Sequence, residues 1–341
     1  MLALLAPAAA AETLRIATYN VGLDRDGPGL LLRDILAGKA ADAEAAADAI
    51  RKADPDILLL TGFDYDAGGV ALAAFARLIG PGAYPHRFAL RPNTGWATGL
   101  DLDGDGRRGG PGDAQGYGAF AGQGGMALLS RLPLDNAAVQ DLSTVLWRDL
   151  SGADLPRRPD GTPFPSDEAL AVQRLSTTGH WVVPVLLPGG GRLDLLAFYA
   201  SPPVFDGPED RNGRRAADEL RLWTAYLDGG FGGPPAPLFV VLGDANLDPG
   251  AGDGDHDAIA RFLADPRLTD PHPRDAEGAL TTTDWPVPPG PLRVDYVLPS
   301  ATLRVLGSGL GAATGGGGPL HRLVWVDVAL PRAGLSAASG P

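Results

Sequence analysis

The stretch "LFVVLGDANLDPG", residues 238 to 250, runs five apolar residues into Gly243 and then presents Asp244 and Asn246, one residue apart, where a buried strand should end. Alternation along an extended chain puts both on one side. One carboxylate beside one carboxamide suits attack on a phosphate: the acid orients or deprotonates water, and the amide donates hydrogen bonds to an oxygen without adding negative charge. An Asx turn closing the strand would use the same pair equally well. Three other fragments place polar groups in similar positions. "RIATYN" ends in Asn20, "LRVDYVLPS" sets Asp295 within a strand, and "HRLVWVDV" opens the last strand with His321.

The elements that must position these groups are short buried strands alternating with amphipathic helices. Strands are expected at Leu14 to Tyr19, Ile57 to Leu60, Met126 to Ser130, Trp181 to Leu187, Leu193 to Tyr199, Phe239 to Leu242, Val294 to Leu298 and Leu323 to Val328. Several lack alternation, as strands covered on both faces do. Helical periodicity marks Ala43 to Lys52, Gly69 to Ile79, Asn212 to Leu227 and His256 to Leu263. Segments near 91 to 125, 149 to 168 and 307 to 319, rich in Gly, Pro and Asp, read as loops.

The 341 residues, 45% of them hydrophobic, suffice for a large core. With 28 Lys and Arg against 41 Asp and Glu, the formal charge of −13 disfavours a long nucleic acid held by general electrostatics. The absence of cysteine excludes disulfides, zinc–thiolate sites and thiol nucleophiles. The opening "MLALLAPAAAAET" resembles the apolar core and cleavage site of a secretory signal, so residues 1 to 11 are expected to be a leader remnant and the protein periplasmic or extracellular. That run is too short to span a bilayer, and no membrane anchor is expected. No composition break or solenoid repeat divides the rest, giving one domain over 12 to 330 and a disordered tail over 331 to 341. The chain is expected to act as a monomer.

In this order, Asn20, the Gly-Asp-x-Asn element at Asp244 and Asn246, Asp295 and His321 resemble the endonuclease/exonuclease/phosphatase superfamily, which is DNase I-like, over nearly the whole chain. The resemblance implies a four-layered α/β/β/α sandwich with two central mixed sheets, and a hydrolase that cleaves phosphoesters by Mg²⁺- or Mn²⁺-assisted in-line attack of water. It also implies roles: Asn20 on metal or phosphate, Asp244 orienting water, Asn246 and His321 on the phosphate, and Asp295 supporting His321. Thr283 and Trp285, in "TTTDW", match a Thr/Ser-x-Trp element beside the site.

Three positions depart from that pattern. Gly62 stands where the resemblance implies a metal-binding acid, Leu320 where an aspartate would precede His321, and Tyr199 where the strand before the Pro-Pro turn would end in histidine. Asp64, two residues on from Gly62, is expected to reach the metal instead, with Asp66 as a weaker substitute. Tyr199 is expected to hydrogen-bond phosphate without replacing a titrating imidazole. On this reading a gain in rate from Gly62→Glu would show that the site is otherwise assembled. Each missing group is worth roughly 10²-fold, and such groups act as a unit, so the losses do not multiply in full. The alternative is a catalytically degenerate binding protein on the same fold, stabilised by calcium.

Two segments add candidates. In "GLDLDGDGRRGGPGDAQG", Asp101, Asp103 and Asp105 alternate as at the start of a calcium loop, although Gly112 occupies the twelfth position, where a glutamate would close it. In "PPVFDGPEDRNGRRAADELRLW", Arg211 and Arg214 fall in the first turn of a helix, against its dipole. They suit either a phosphate or an internal network with the nearby acids. His180, ahead of "WVVPVLL", could border the site, as could Trp285. The substrate class of the phosphoester stays open: nucleic acid, nucleotide, lipid headgroup or inositol phosphate.

Overall fold

The computed structural model describes residues 13–286, 288–313 and 320–330, so the expected leader and tail lie outside the described residues. In chain order the strands are β1 (Thr13–Leu23), β2 (Ile57–Phe63), β3 (His86–Phe88), β4 (Gly125–Ser130), β5 (Gln140–Asp141), β6 (Gly179–Leu186), β7 (Arg192–Tyr199), β8 (Phe239–Asp244), β9 (Thr283–Asp284), β10 (Pro291–Leu292), β11 (Asp295–Pro299), β12 (Arg304–Leu310) and β13 (Val324–Ala329). The helices are α1 (Leu30–Leu36), α2 (Ala41–Ala53), α3 (Val70–Ile79), α4 (Asp167–Val172), α5 (Arg211–Leu227) and α6 (His256–Leu263).

Two mixed sheets form the centre, ordered β12-β13-β1-β2-β4-β3 and β11-β8-β7-β6-β5. Strand alternation divides their side chains among three cores. Ile16, Ile57, Leu59, Leu195, Val240, Leu242 and Val326 fill the layer between the sheets. Their chain neighbours turn outward: Ala17, Leu58 and Leu60 pack under α1, α2 and α3, while Leu196, Phe198 and Val241 pack under α5 and α6. Each central strand is therefore apolar on both faces, which accounts for its unbroken hydrophobic run. The result is the expected α/β/β/α sandwich.

The same parity fixes where polar residues emerge. Asn20 follows Ile16 and Thr18, Asp244 follows Val240 and Leu242, Tyr199 follows Leu195 and Ala197, and Asp295 precedes Val297. All four lie on the inter-sheet side of their strands. The register brings three of them together, pairing Asp244 with Asp295 across the antiparallel β8–β11 ladder and with Tyr199 across the parallel β7–β8 ladder.

The structure corrects two loop expectations. Residues 307 to 310 belong to β12, whose glycines read as loop but make room for an indole: a Cβ at Gly309 would lie 2.7 Å from the Trp325 ring. At the end of the 149 to 168 segment a short helix begins, α4, capped by Ser166 Oγ, which accepts the Ala169 amide at 3.1 Å.

Candidate active site

Asp244 is the last residue of β8 and fully buried. Its Oδ1 accepts the Asn246 backbone N–H at 2.9 Å, closing an Asx turn, and its Oδ2 accepts Asn20 Nδ2 at 2.9 Å. The two readings of this stretch thus coincide, because the turn aims the carboxylate. Asn20 is itself fixed, its Oδ1 accepting the Gly22 amide at 3.2 Å while Nδ2 also lies 3.4 Å from the Tyr199 hydroxyl.

His321 stands on the far side of the same group. Its Nδ1 lies 2.8 Å from Asp295 Oδ2 and 3.9 Å from Asp244 Oδ2. With Nδ1–H donating to Asp295, Nε2 is the ring nitrogen left to meet a substrate. A backbone bridge between His321 and Thr283 holds the ring in place, and Trp285 meets it edge-on with centroids 5.7 Å apart. Thr282, a residue the sequence reading passed over in favour of its neighbour, accepts the Val294 and Asp295 amides on Oγ1 at 3.0 and 3.2 Å and so seats the start of β11.

Burial raises the Asp244 carboxyl, and the Asp295 charge raises it further, to about 7. For His321 burial acts downward, but the charge and hydrogen bond of Asp295, together with the charge of Asp244, outweigh it and hold the imidazolium up to about 9. Near neutrality the site therefore pairs an acid that exchanges its proton readily with a histidine that keeps its own. Tyr199 is pushed above the usual phenol range by burial first and the Asp244 charge second, so its hydroxyl stays neutral.

Ligand atoms of Asp244, Asp295 and His321 lie within 4.8 Å of one another. Asp295 Oδ1 is buried without a hydrogen-bond partner among the described residues. Two buried carboxylates facing one imidazolium leave an excess of negative charge, and an unmet oxygen at that point fits a hard divalent cation.

A family model described as "Endonuclease/Exonuclease/phosphatase family" matches residues 17–318. The chain belongs to the endonuclease/exonuclease/phosphatase family. No curated sequence matches it. Among solved structures, an endonuclease/exonuclease/phosphatase from Beutenbergia cavernae DSM 12333 is similar at 19% identity and a TM-score of 0.60, over 95% of this chain and 73% of that one. Sphingomyelinase C from Streptomyces griseocarneus is similar at 19% identity and 0.53, over 94% and 100%. A beta toxin mutant from Staphylococcus aureus with bound magnesium ions is similar at 11% identity and 0.52, over 92% and 99%. At these identities the likeness concerns the fold.

Several expected site residues of this family member are engaged elsewhere. Asp64 is not part of the Asp244 cluster: its oxygens accept the Arg25 and Gly124 amides, both at 3.0 Å, tying two loops together. Asp66 caps α3 through the Val70 and Ala71 amides. Gly62 has φ +67°, and a Cβ there would lie 2.6 Å from Asn20 Oδ1, so a glutamate cannot simply be restored. The β2 register shifts at this bulge, which breaks the alternation used to aim Asp64 at the site.

Asn246 lies beyond the end of β8 with φ +52°, and its Nδ2 donates to Ala200 O at 2.9 Å, while no hydrogen bond engages its Oδ1 among the described residues. His180 is wholly buried, bonded to Ser176 Oγ and Glu219 O and packed between Phe198 and Trp223; burial lowers it to about 3. It is a neutral core residue with no access to substrate. Arg214 joins Asp154 and the Glu209 carbonyl, as the internal-network reading expected. Arg211 donates to the Leu102 carbonyl. Asp101, Asp103 and Asp105 do converge, with carboxylate oxygens within 4.8 Å, while each also accepts amides of its own loop. Asp103 packs against Gly112, so no longer side chain fits at the twelfth position.

Proposed function

We propose that this chain is a divalent-metal-dependent phosphoester hydrolase acting by in-line attack of water. The observation that carries the reading is the meeting of Asp244, Asp295 and His321 at one end of the inter-sheet layer. Asp244 takes the proton of the attacking water, since a carboxyl near 7 is matched to that task at neutral pH. His321, kept cationic and oriented by Asp295, donates from Nε2 to a phosphate oxygen as charge builds on it. Asn20 holds Asp244 in place, and the unmet Oδ1 of Asp295 together with the neighbouring Asp244 carboxylate would hold Mg²⁺ or Mn²⁺. That ion, when bound, neutralises phosphate charge and stabilises the leaving oxygen. Tyr199 adds a neutral hydroxyl beside Asn20.

The apolar opening of the sequence supports export to the periplasm or the exterior. No helix among the described residues is long and apolar enough to cross a membrane. Calcium at Asp101, Asp103 and Asp105 rests on the convergence of the three carboxylates; a Ca²⁺ titration of thermal stability, compared with Asp103→Asn, tests it.

Hydrolysis of methyl p-nitrophenyl phosphate and p-nitrophenyl phosphate with Mg²⁺, Mn²⁺ or Ca²⁺ tests the main reading, with Asp244→Ala as the control. Activity lost in that variant supports it. No turnover with any metal favours the second reading, a binding protein on the same fold, for which Gly62 in place of an acid is the supporting observation.

A further inference from the structure

Helix α5 turns Ala216, Leu220 and Trp223 into the core against the second sheet, and it carries Glu219 in the same buried stripe. A carboxyl group there is costly unless hydrogen bonds replace its water. Glu219 Oε1 accepts the Thr177 amide at 2.6 Å, and Oε2 accepts the Ser201 amide at 2.7 Å. The side chain thereby clamps the chain entering β6 to the chain leaving β7, whose ends pair at Gly179 and Tyr199. Burial raises the group to about 7, and the charge of Arg215, one turn earlier on α5, opposes the rise, so at pH 8 it is mostly ionised.

The Ser201 N–H belongs to the same peptide unit as the Ala200 carbonyl, and that carbonyl accepts Asn246 Nδ2 at 2.9 Å. On the other side of Ala200, its own N–H donates to the Asp244 carbonyl, also at 2.9 Å. Asn246 in turn donates its backbone N–H to Asp244 Oδ1. A line of hydrogen bonds therefore runs from Glu219 through one peptide to Asn246, and from there to the carboxyl group that activates water on the reading above. Bonds in series polarise one another, so a negative charge at the N–H end of a peptide makes its carbonyl a stronger acceptor. Asn246 needs such a hold, because its φ of +52° is unfavourable to an L-residue.

The same geometry accounts for an acid at this position. Two amides from separate segments need two acceptors, and a carboxylate offers both oxygens. A carboxamide would turn its NH2 toward one of the two N–H donors.

We propose that Glu219 is a positioning residue for the hydrolytic site. Fully buried, it touches no substrate, and it acts by fixing the Ala200–Ser201 peptide that holds Asn246 and Asp244. The inference rests on the phosphoester reading of the Asp244 site.

A double-mutant cycle on the turnover of methyl p-nitrophenyl phosphate with Mg²⁺ at pH 8 tests it. Glu219→Gln should lower kcat about tenfold, with a smaller effect on KM. In an Asn246→Ala background the same change should cost at most about twofold, because the bond it steers is gone. Glu219→Asp, which keeps the charge but draws it back by one methylene, is the second variant and should follow the same pattern. His180→Ala loosens the same seat of α5 without touching the Ala200–Ser201 peptide, so any loss it causes should be equal in both backgrounds. A spectroscopic arm needs no turnover. With ¹⁵N-asparagine labelling, and Asn246→Ala to identify the signal, Glu219→Gln should shift the Asn246 side-chain amide resonance in the absence of substrate and metal. Equal losses in both backgrounds, no loss at all, or an Asn246 signal that stays put would overturn the proposal. A shifted signal in a protein that hydrolyses no ester would leave the hold of Glu219 on Asn246 standing and refute the hydrolytic reading; turnover with additive losses would do the reverse.

Discussion

Gly62→Ala is the substitution on which the geometry of the site makes its sharpest demand. The glycine sits at φ +67°, where an L-residue loses roughly 1–2 kcal/mol. A methyl group there would stand 2.6 Å from Asn20 Oδ1 and 3.2 Å from the Gly22 amide, so the Asn20 side chain must move. Moving it breaks the 2.9 Å bond from Nδ2 to the buried Asp244 carboxylate, a charge-assisted contact worth about 1.5–3 kcal/mol. The variant should therefore lose about 2.5–5 kcal/mol of stability, read as a fall in the denaturation midpoint at constant slope. With Asp244 no longer held, the rate on a phosphodiester should fall roughly 10²-fold. The double-mutant cycle isolates the cause. In an Asn20→Ala background only the backbone strain of about 1–2 kcal/mol should remain, leaving a coupling of about 2 kcal/mol. A coupling below about 0.5 kcal/mol, or a rate increase in Gly62→Glu, would refute the reasoning.

Further outcomes follow from the buried titrating groups. Asp295→Asn removes the charge that holds His321 up to about 9, so the basic limb of the kcat/KM profile should move down by about one unit or more; a limb that stays put excludes His321 as the cationic donor. Divalent metal needs ionised carboxylates, so Mg²⁺ should raise the Tm more at pH 8 than at pH 5.5, given an Asp244 carboxyl near 7; equal shifts at both pH values place the ion elsewhere. Burial lifts Glu219 from 4.5 to about 7, so the unfolded chain gives up that proton first as pH rises, and native stability falls across this window by about 1.4 kcal/mol per pH unit. Glu219→Gln should abolish that component, and denaturation curves for both proteins from pH 4 to 8 check it. His180→Ala should lower stability by about 2–4 kcal/mol, as loss of a fully buried ring does, without moving the pH–rate profile; a shifted profile would return His180 to the site.

The sequence by itself determined sheets packed between helices; the four-layered arrangement and the grouping of Asn20, Asp244, Asp295 and His321 at one end of the inter-sheet layer came with the family resemblance. Strands apolar on both faces require a layer on each side, and the parity of Val240, Leu242 and Asp244, or of Ile16, Thr18 and Asn20, can be read along the chain because side chains alternate with period two. What that period could not carry was any position past an irregularity. At the β2 bulge Gly62 takes a left-handed φ, and the face Asp64 should have shared with an acid at Gly62 disappears. Past the end of β8 the Asx turn rotates Asn246 so that its amide meets Ala200 rather than sharing a strand face with Asp244. His180 is a polar letter whose partners, Ser176 and Glu219, are known only once α5 packs on β6 and β7. Local pattern fixes which way a regular strand points its side chains; bulges, turns and long-range packing decide which of those side chains already have a partner and which are left for a ligand.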